Sequence, residues 1–235
     1  MFEVAGSLGL GAGQRVLDVG CRDGRHLTEI TRRFACAAIG VEPVEANLDS
    51  ARGFLGEALA QHPALISVVR GRVETLPFAN GAFDLVWVRD VLIHVPELEQ
   101  GLRECRRVLR PGGNILVFQM FATEWLEAKE AARLWPPLAA IPANADPDAF
   151  ELAVAGAGLQ IERREEIGSE WREFGEENGQ PRTSLQLLHV ARLLRDRGRL
   201  TSELGNGTYQ MELANCLWGV YQMIGKLSPR IYLLR

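Results

Sequence analysis

The chain has 235 residues, of which 47% are hydrophobic and 24% are charged, as in ordinary globular proteins. This length predicts one domain with an elaboration, large enough to bury a sizeable core. The formal net charge of -4 gives no support for a protein that holds nucleic acid by its phosphates, so we expect no nucleic-acid partner.

Short apolar runs alternate with helix-like stretches through the first half of the chain. The runs cover residues 15–19, 37–42, 65–70, 83–88 and 114–118. Continuous apolar runs of this kind suit strands that are buried on both faces, which is typical of a parallel sheet. The alternation predicts βαβ units and therefore an α/β fold with a Rossmann-like, doubly wound sheet.

A clear helical pattern precedes the fifth run. Leu98, Leu102, Cys105 and Leu109 are spaced by three and four residues, with charged residues at other positions. The following residues 111–113, Pro-Gly-Gly, are expected to stop this helix and turn the chain into the next strand.

The remainder of the chain changes character. Residues 123–134 and 146–157 predict helices, and Asp146 and Pro147 suit the cap and the first turn of the second one. We predict strands over residues 159–167 and 229–235, separated by a long, mostly helical tract over residues 169–226.

The cysteines and the apolar runs indicate the compartment. Four cysteines form neither a CxxC pair nor a spacing typical of metal ligands, which favours a reducing environment. The first residues lack the features of a signal peptide, and no apolar run approaches the roughly 20 residues that span a bilayer. We therefore expect a cytoplasmic protein with no membrane partner.

The stretch VLDVGCRDGRHL, residues 16–27, places two glycines after the first predicted strand. In a βαβ unit this turn brings backbone N–H groups close to a ligand, and Gly20 and Gly24 would allow a close approach. Glu42, at the end of the second strand, is placed to accept ribose hydroxyls. The glycine loop and this carboxylate together indicate an adenosine-containing ligand without specifying which one.

Five stretches resemble, in order, the successive motifs of class I S-adenosylmethionine-dependent methyltransferases. They are residues 16–27, 40–43, 71–78, 83–95 and 107–113, so the resemblance extends over about half of the chain. The most similar branch is the methyltransferase type 11-like one, which acts mostly on small molecules. The resemblance implies a seven-stranded sheet of order 3-2-1-4-5-7-6, S-adenosyl-L-methionine as cofactor and a small-molecule methyl acceptor.

The resemblance also assigns cofactor-binding positions. Glu42 takes the ribose, residues 71–78 flank the adenine, and Arg89 faces the methionine part of the cofactor. The complete set is Asp18, Gly20, Cys21, Gly24, Glu42, Pro43, Arg72, Val73, Glu74 and Arg89.

Two positions depart from the family pattern. Arg22 stands where the family usually has a glycine, and a positive φ at that position would cost about 1 kcal/mol. Arg72 stands where an aspartate commonly contacts the adenine, so one hydrogen bond worth about 0.5–1.5 kcal/mol is lost unless Glu74 or a backbone group replaces it.

Asp90 and His94 follow the fourth predicted strand and are the candidates for catalysis. The carboxyl edge of an open α/β sheet is where ligands bind, so either residue could act as a general base for the acceptor. The alternative for His94 is a structural role. Ile93 occupies the place of a second carboxylate found in metal-binding relatives of this branch, so we expect no metal.

The helical tract, residues 169–226, is predicted to be an insertion between the sixth and seventh strands. The methyltransferase domain would then comprise residues 1–168 and 227–235. An insertion at that edge favours a substrate lid, with an apolar or aromatic acceptor as one option, or a homodimer interface as another.

Two other functions stay open from the sequence. A nicotinamide-dependent oxidoreductase uses a similar loop and acid, although Arg22 breaks its G-x-G-x-x-G pattern. A cofactor-binding protein that has this fold but does not transfer a methyl group is the other alternative, and Arg22 and Arg72 are the residues that keep it open.

Overall fold

The computed structural model of the protein describes residues 1–61 and 65–235. Seven strands form one sheet of order β3-β2-β1-β4-β5-β7-β6, as predicted. The strands are β1 (Arg15–Val19), β2 (Ala37–Glu42), β3 (Ile66–Arg70), β4 (Phe83–Arg89), β5 (Leu109–Ala122), β6 (Ile161–Glu166) and β7 (Leu227–Leu234).

Ten α-helices connect or follow these strands within the described part of the chain. They are α1 (Phe2–Ser7), α2 (Arg25–Phe34), α3 (Glu45–Gln61), α4 (Leu98–Val108), α5 (Ala128–Leu134), α6 (Pro147–Gly156), α7 (Glu170–Glu177), α8 (Arg182–Arg195), α9 (Arg197–Leu204) and α10 (Asn206–Met223). The predicted helical insertion between β6 and β7 is confirmed as four helices, α7 to α10.

The centre of the sheet is parallel and buried. β1 lies between β2 and β4, with Val16 in register with Ala38 on one side and Leu85 on the other. All three side chains are at most 1% exposed, because helices of βαβ units cover both faces of a doubly wound sheet. At the other side of the sheet, reciprocal backbone hydrogen bonds between Gln160 and Arg235 show that β6 and β7 run antiparallel.

The chain divides into two compact units. The first unit comprises residues 1–119, 151–165 and 231–235, and the second comprises residues 120–150 and 166–230. The second unit therefore includes residues 120–150 in addition to the whole tract, residues 169–226, from which we predicted a lid.

The second unit has a small core of its own. Val190, Leu193, Tyr209 and Cys216 are buried together, and the Tyr209 hydroxyl donates to the Leu193 carbonyl at 3.2 Å. A Trp135–Trp218 pair with an edge-to-face geometry, 5.9 Å between ring centroids, adds apolar contact in the same unit.

Two local predictions are wrong, and one helix was not predicted. The helix predicted from residue 123 begins at Ala128, because Glu127 and Glu130 form a reciprocal capping box that fixes the start there. The upstream Thr123 hydroxyl instead donates to the Gly225 carbonyl at 2.7 Å. The fifth strand is also far longer than the predicted residues 114–118, and α1 was not predicted at all.

Among the described residues, no helix combines the length and the hydropathy required to cross a bilayer. The four cysteines are unpaired and buried.

Candidate active site

The main pocket lies at the carboxyl ends of β1 to β4 and has a volume of about 650 Å³. This is the edge at which open α/β sheets bind ligands, and the volume is within the range of small-molecule sites. Its lining comprises Asp18, Val19, Gly20, Cys21, Arg22, Asp23, Arg25, His26, Val41, Glu42, Pro43, Asn47, Gly71, Arg72, Val73, Glu74, Arg89, Asp90, Val91, His94 and Val95.

The loop after β1 is fixed to the neighbouring strand. The backbone N–H groups of Gly20 and Cys21 donate to the Val41 carbonyl at 2.8 and 3.2 Å. Gly20 and Gly24 have φ of 70° and 77°, a conformation that glycine adopts without a steric penalty. A Cβ atom on Gly20 would overlap Val91, so this glycine keeps the loop close to the segment after β4.

Arg22 adopts the strained conformation that its position in the loop suggested. Its φ is 49°, in the left-handed region where a residue with a side chain costs about 1–2 kcal/mol. Its backbone N–H donates to Glu42 Oε2 at 3.2 Å. The loop is therefore formed despite the missing glycine, and Glu42 helps to hold it.

Glu42 is the structural centre of the pocket and only 5% exposed. In addition to the Arg22 N–H, its carboxylate accepts from the Val44 N–H at 3.1 Å and from Asn47 Nδ2 at 3.0 Å, both at Oε1. A carboxylate oxygen has two lone-pair positions, so Oε1 is fully used, whereas Oε2 retains one position for a further donor.

Asp18 is almost completely buried at the end of β1. Burial raises the pKa of its carboxyl to about 8, although the positive charge of Arg89 acts in the opposite direction. Its Oδ2 atom has no hydrogen-bond partner among the described residues. A buried carboxyl oxygen that lines a pocket and lacks a partner fits a ligand that brings a donor or a positive charge.

Cys21 lies in the same loop, but its thiol is unreactive. Burial is the main cause that raises the pKa of its thiol to about 12, and the carboxylates of Asp18 and Glu42 add to the effect. Because the thiolate is the nucleophilic form, Cys21 contributes shape to the pocket.

The segment after β3 is braced from α4. Glu104 accepts the Leu76 N–H at 2.9 Å, and Arg107 donates to the carbonyls of Leu76 and Phe78 at 3.0 and 2.7 Å. Arg107 also pairs with Glu104 at 2.7 Å, which lowers the pKa of the Glu104 carboxyl. Glu104 and Arg107 therefore fix the 71–78 segment without lining the pocket.

Arg72 has an exposed side chain that pairs with Glu74 at 3.4 Å. An ion pair of this exposure contributes little to stability. Arg72 and Glu74 lie in the pocket wall with Val73, at the place that sequence motifs assign to the adenine.

Asp90 and His94 both line the pocket after β4. Asp90 has φ of 53°, and its backbone N–H donates to the Phe118 carbonyl at 2.8 Å. His94 ends a short 3-10 helix, Leu92–His94, whose buried Leu92 and Ile93 anchor the segment. Strain in a non-glycine residue that faces a pocket is typical of functional sites.

Of the twelve predicted site residues, the structure places eleven in the wall of one pocket. The exception is Gly24, which begins α2 and packs towards Leu55, so its role is to shape the turn. The roles assigned to the twelve residues remain predictions.

Sequence reasoning missed four polar residues of this pocket, Asp23, Arg25, His26 and Asn47. His26 lies in the first turn of α2, where its Nε2 atom is 3.1 Å from Arg89 Nη1, and Asn47 binds Glu42 from α3. Asp23 faces the pocket from the loop. The position of His26, six residues after Gly20 and so on the first helical turn, was the one signal that could have indicated it.

Within the described ranges, no group of three or more His, Cys, Asp or Glu side chains has an arrangement that could hold a metal ion.

Residues 17–117 match the family model described as a methyltransferase domain. The chain is 33% identical over 111 residues to the methyltransferase GfsG of Streptomyces halstedii. These residues cover 47% of this chain and 39% of that protein. The chain is 35% identical over 107 residues to a sarcosine/dimethylglycine N-methyltransferase of Halorhodospira halochloris, covering 46% of this chain and 38% of that protein. The matched stretches thus span about two fifths of the length of these relatives.

Among solved structures, the crystal structure of the cyclase SpnF has the same fold. It matches with a TM-score of 0.73 at 21% identity, covering 99% of this chain and 80% of that one.

Proposed function

We propose that residues 17–117, which match the model of a methyltransferase domain, form a class I S-adenosylmethionine-dependent methyltransferase domain, and that the protein methylates a small-molecule acceptor. S-adenosylmethionine is the cofactor of this family, and its sulfonium centre supplies an activated methyl group for in-line transfer. The observation that carries the proposal is one pocket that combines Glu42, the glycine loop and the buried Asp18.

The residues of the pocket fit this cofactor. Glu42 would accept a ribose hydroxyl at the open position of Oε2, and the 71–74 segment would flank the adenine. Asp18 and Arg89 would receive the ammonium and carboxylate of the methionine part. Each pairing joins groups of complementary charge or hydrogen-bonding type.

For the acceptor, Asp90 and His94 are the candidate general bases. Methyl transfer requires alignment first, and a base only when the acceptor must lose a proton. Both side chains line the pocket at the edge where the acceptor would approach. If either is the base, Asp90→Asn or His94→Ala will lower turnover more than cofactor affinity.

A small acceptor is supported by the relative whose name gives sarcosine and dimethylglycine as substrates. The apolar or aromatic character of the acceptor, a cytoplasmic location and a homodimer stay predictions. The role of residues 169–226 as a substrate cap rests on their place in the chain between β6 and β7.

The match to a methyltransferase domain leaves the nicotinamide-dependent alternative without support. A cofactor-binding protein that does not transfer methyl groups is the second candidate, because a fold does not fix a reaction. The solved structure of a cyclase that shares this fold favours keeping that candidate in the test.

The test has two stages, in one preparation of folded protein. Calorimetric titration with S-adenosylhomocysteine should show one-to-one binding, and incubation with methyl-labelled cofactor and a panel of small acceptors should then show label transfer. Binding with no transfer to any acceptor class would favour the second candidate. Absence of binding would refute the proposal.

A matched control separates the catalytic candidates from general effects. Asp49→Asn removes an exposed carboxylate of α3, outside the main pocket, and should leave turnover unchanged. If Asp90→Asn and His94→Ala both match Asp49→Asn, then neither residue is the base and positioning alone carries the reaction.

A further inference from the structure

His26 contacts Arg89 inside the pocket. His26 Nε2 lies 3.1 Å from Arg89 Nη1, and the two residues belong to the first turn of α2 and to the end of β4. Their contact joins two elements that are separated by 63 positions in the chain.

The chemistry of the pair determines where the imidazole proton is. A guanidinium group carries only donors, so His26 Nε2 must accept and the ring must be neutral with its proton on Nδ1. Burial, followed by the positive charge of Arg89, lowers the pKa of His26, and the Asp23 carboxylate opposes this effect only in part. The neutral ring is therefore the form that the fold favours.

The surroundings fix the ring. Trp87 of β4 and Phe2 of α1 lie 6.1 and 6.4 Å from it, measured between ring centroids. These neighbours are uncharged, so Arg89 from β4 and Asp23 from the loop are the charged groups that face His26. The Arg89 guanidinium also lies over the Phe118 ring at 5.5 Å.

Arg89 in turn acts on the charges of the pocket. Burial raises the pKa of the Asp18 carboxyl, and the positive charge of Arg89 opposes this rise. Burial lowers the pKa of the Met1 amino group, and the charge of Arg89 adds to that effect. The orientation of the Arg89 side chain therefore affects the binding of any charged ligand beside Asp18.

We propose that His26 is a positioning residue, which in its neutral form holds Arg89 for the charged methionine end of the cofactor and releases it on protonation. A protonated ring would place two positive charges at contact distance and remove the acceptor. The inference rests on the proposed placement of the cofactor.

The size of the effect follows from the fraction of neutral His26. If binding requires the neutral ring, the apparent dissociation constant rises about tenfold for each pH unit below the pKa of His26. The ligand's own α-carboxyl and α-amino groups titrate outside the interval from about pH 5 to about pH 7, so they do not interfere. Asp18, whose pKa is raised to about 8, must lose its proton to receive the ligand's ammonium, so it adds a pH dependence that wild type and every His26 variant share.

The experiment is calorimetric titration of the whole chain with S-adenosylhomocysteine between about pH 5 and pH 7.5, with circular dichroism to confirm folding at each pH. Wild type should lose affinity steadily below the pKa of His26. His26→Gln keeps an acceptor that does not titrate, so it should lose the additional tenfold per pH unit that wild type shows below the pKa of His26 and keep only the dependence that Asp18 contributes. His26→Phe keeps a packed ring without an acceptor, and should bind weakly at every pH.

His189→Gln is the matched control, because it removes a histidine outside this pocket and should retain the wild-type acid limb. An acid limb as steep in His26→Gln as in wild type, or wild-type affinity of His26→Phe at about pH 7.5, would overturn the role of His26. Failure of wild type to bind at any pH would instead refute the proposed cofactor site, so the two failures are distinguishable.

Discussion

Replacing Glu42 with alanine tests the centre of the pocket. The change removes an acceptor of three hydrogen bonds, from Arg22 N–H, Val44 N–H and Asn47 Nδ2. Each such bond to a charged group is worth about 1.5–3 kcal/mol, but water from the open pocket can replace part of it. We expect the free energy of unfolding to fall by about 1–3 kcal/mol.

Cofactor affinity should fall as well. The open position on Glu42 Oε2 would accept one ribose hydroxyl, and losing that charge-assisted bond costs about 1.5–3 kcal/mol, or roughly 10- to 150-fold in the dissociation constant. The assay is calorimetric titration with S-adenosylhomocysteine beside chemical denaturation of the free protein. A Glu42→Ala protein that unfolds earlier but binds with wild-type affinity would refute the placement of the ribose.

Glu45 provides the control for this prediction. It lies three residues further along, is 48% exposed and pairs with Arg52 and Arg70 on the surface. Because exposed pairs contribute about 0–1 kcal/mol, Glu45→Ala should change stability little and affinity not at all. A comparable loss of affinity in both variants would mean that any change at the start of α3 disturbs the pocket.

Four other changes test the loop, the end of α2 and the buried acid. Arg22→Gly and Ala35→Gly, at φ of 49° and 53°, should each raise the free energy of unfolding by about 0.5–1 kcal/mol in denaturant titrations, and no gain would show that these residues are not strained. Gly20→Ala should abolish cofactor binding because its Cβ would overlap Val91, and an unchanged titration would show that the loop can move away. The pKa of Asp18 is raised from 3.8 to about 8, so the folded state keeps a proton that the unfolded state has lost, and stability should decrease as pH rises between these values by at most about 1.4 kcal/mol per unit. Asp18→Asn should remove that slope, and a slope that persists in denaturation measured at several pH values would assign it to another group.

The strands of the first half were predictable because their pattern is decided locally. The bounds of β1 and β2 agree with the sequence prediction, since each is a short apolar run closed by a glycine or a proline turn. The order of the sheet came from the resemblance of five motifs to a known family, and it is confirmed.

Other features depended on contacts between distant residues. The start of α5 is set by the capping box of Glu127 and Glu130 in competition with the hydroxyl of Thr123, which binds about a hundred positions away. α1 has six residues, too few for a periodic pattern, and its Phe2 is placed by Trp87. A local sequence pattern does not identify such distant partners.

The candidate site also combines features that were predictable from the local sequence with features that depend on distant contacts. Glu42 and the glycines follow from their places at strand ends, whereas the contact of His26 with Arg89 requires α2 and β4 to be adjacent. The bracing of the 71–78 segment by Glu104 and Arg107 is likewise a tertiary feature, carried by charged residues that the helical pattern alone assigns to solvent.

The lining of the main pocket falls within residues 18–95, one continuous part of the first unit. The polar groups that we assign to the cofactor therefore come from one stretch of the chain. Substitutions outside this stretch are expected to change cofactor binding less than substitutions within it.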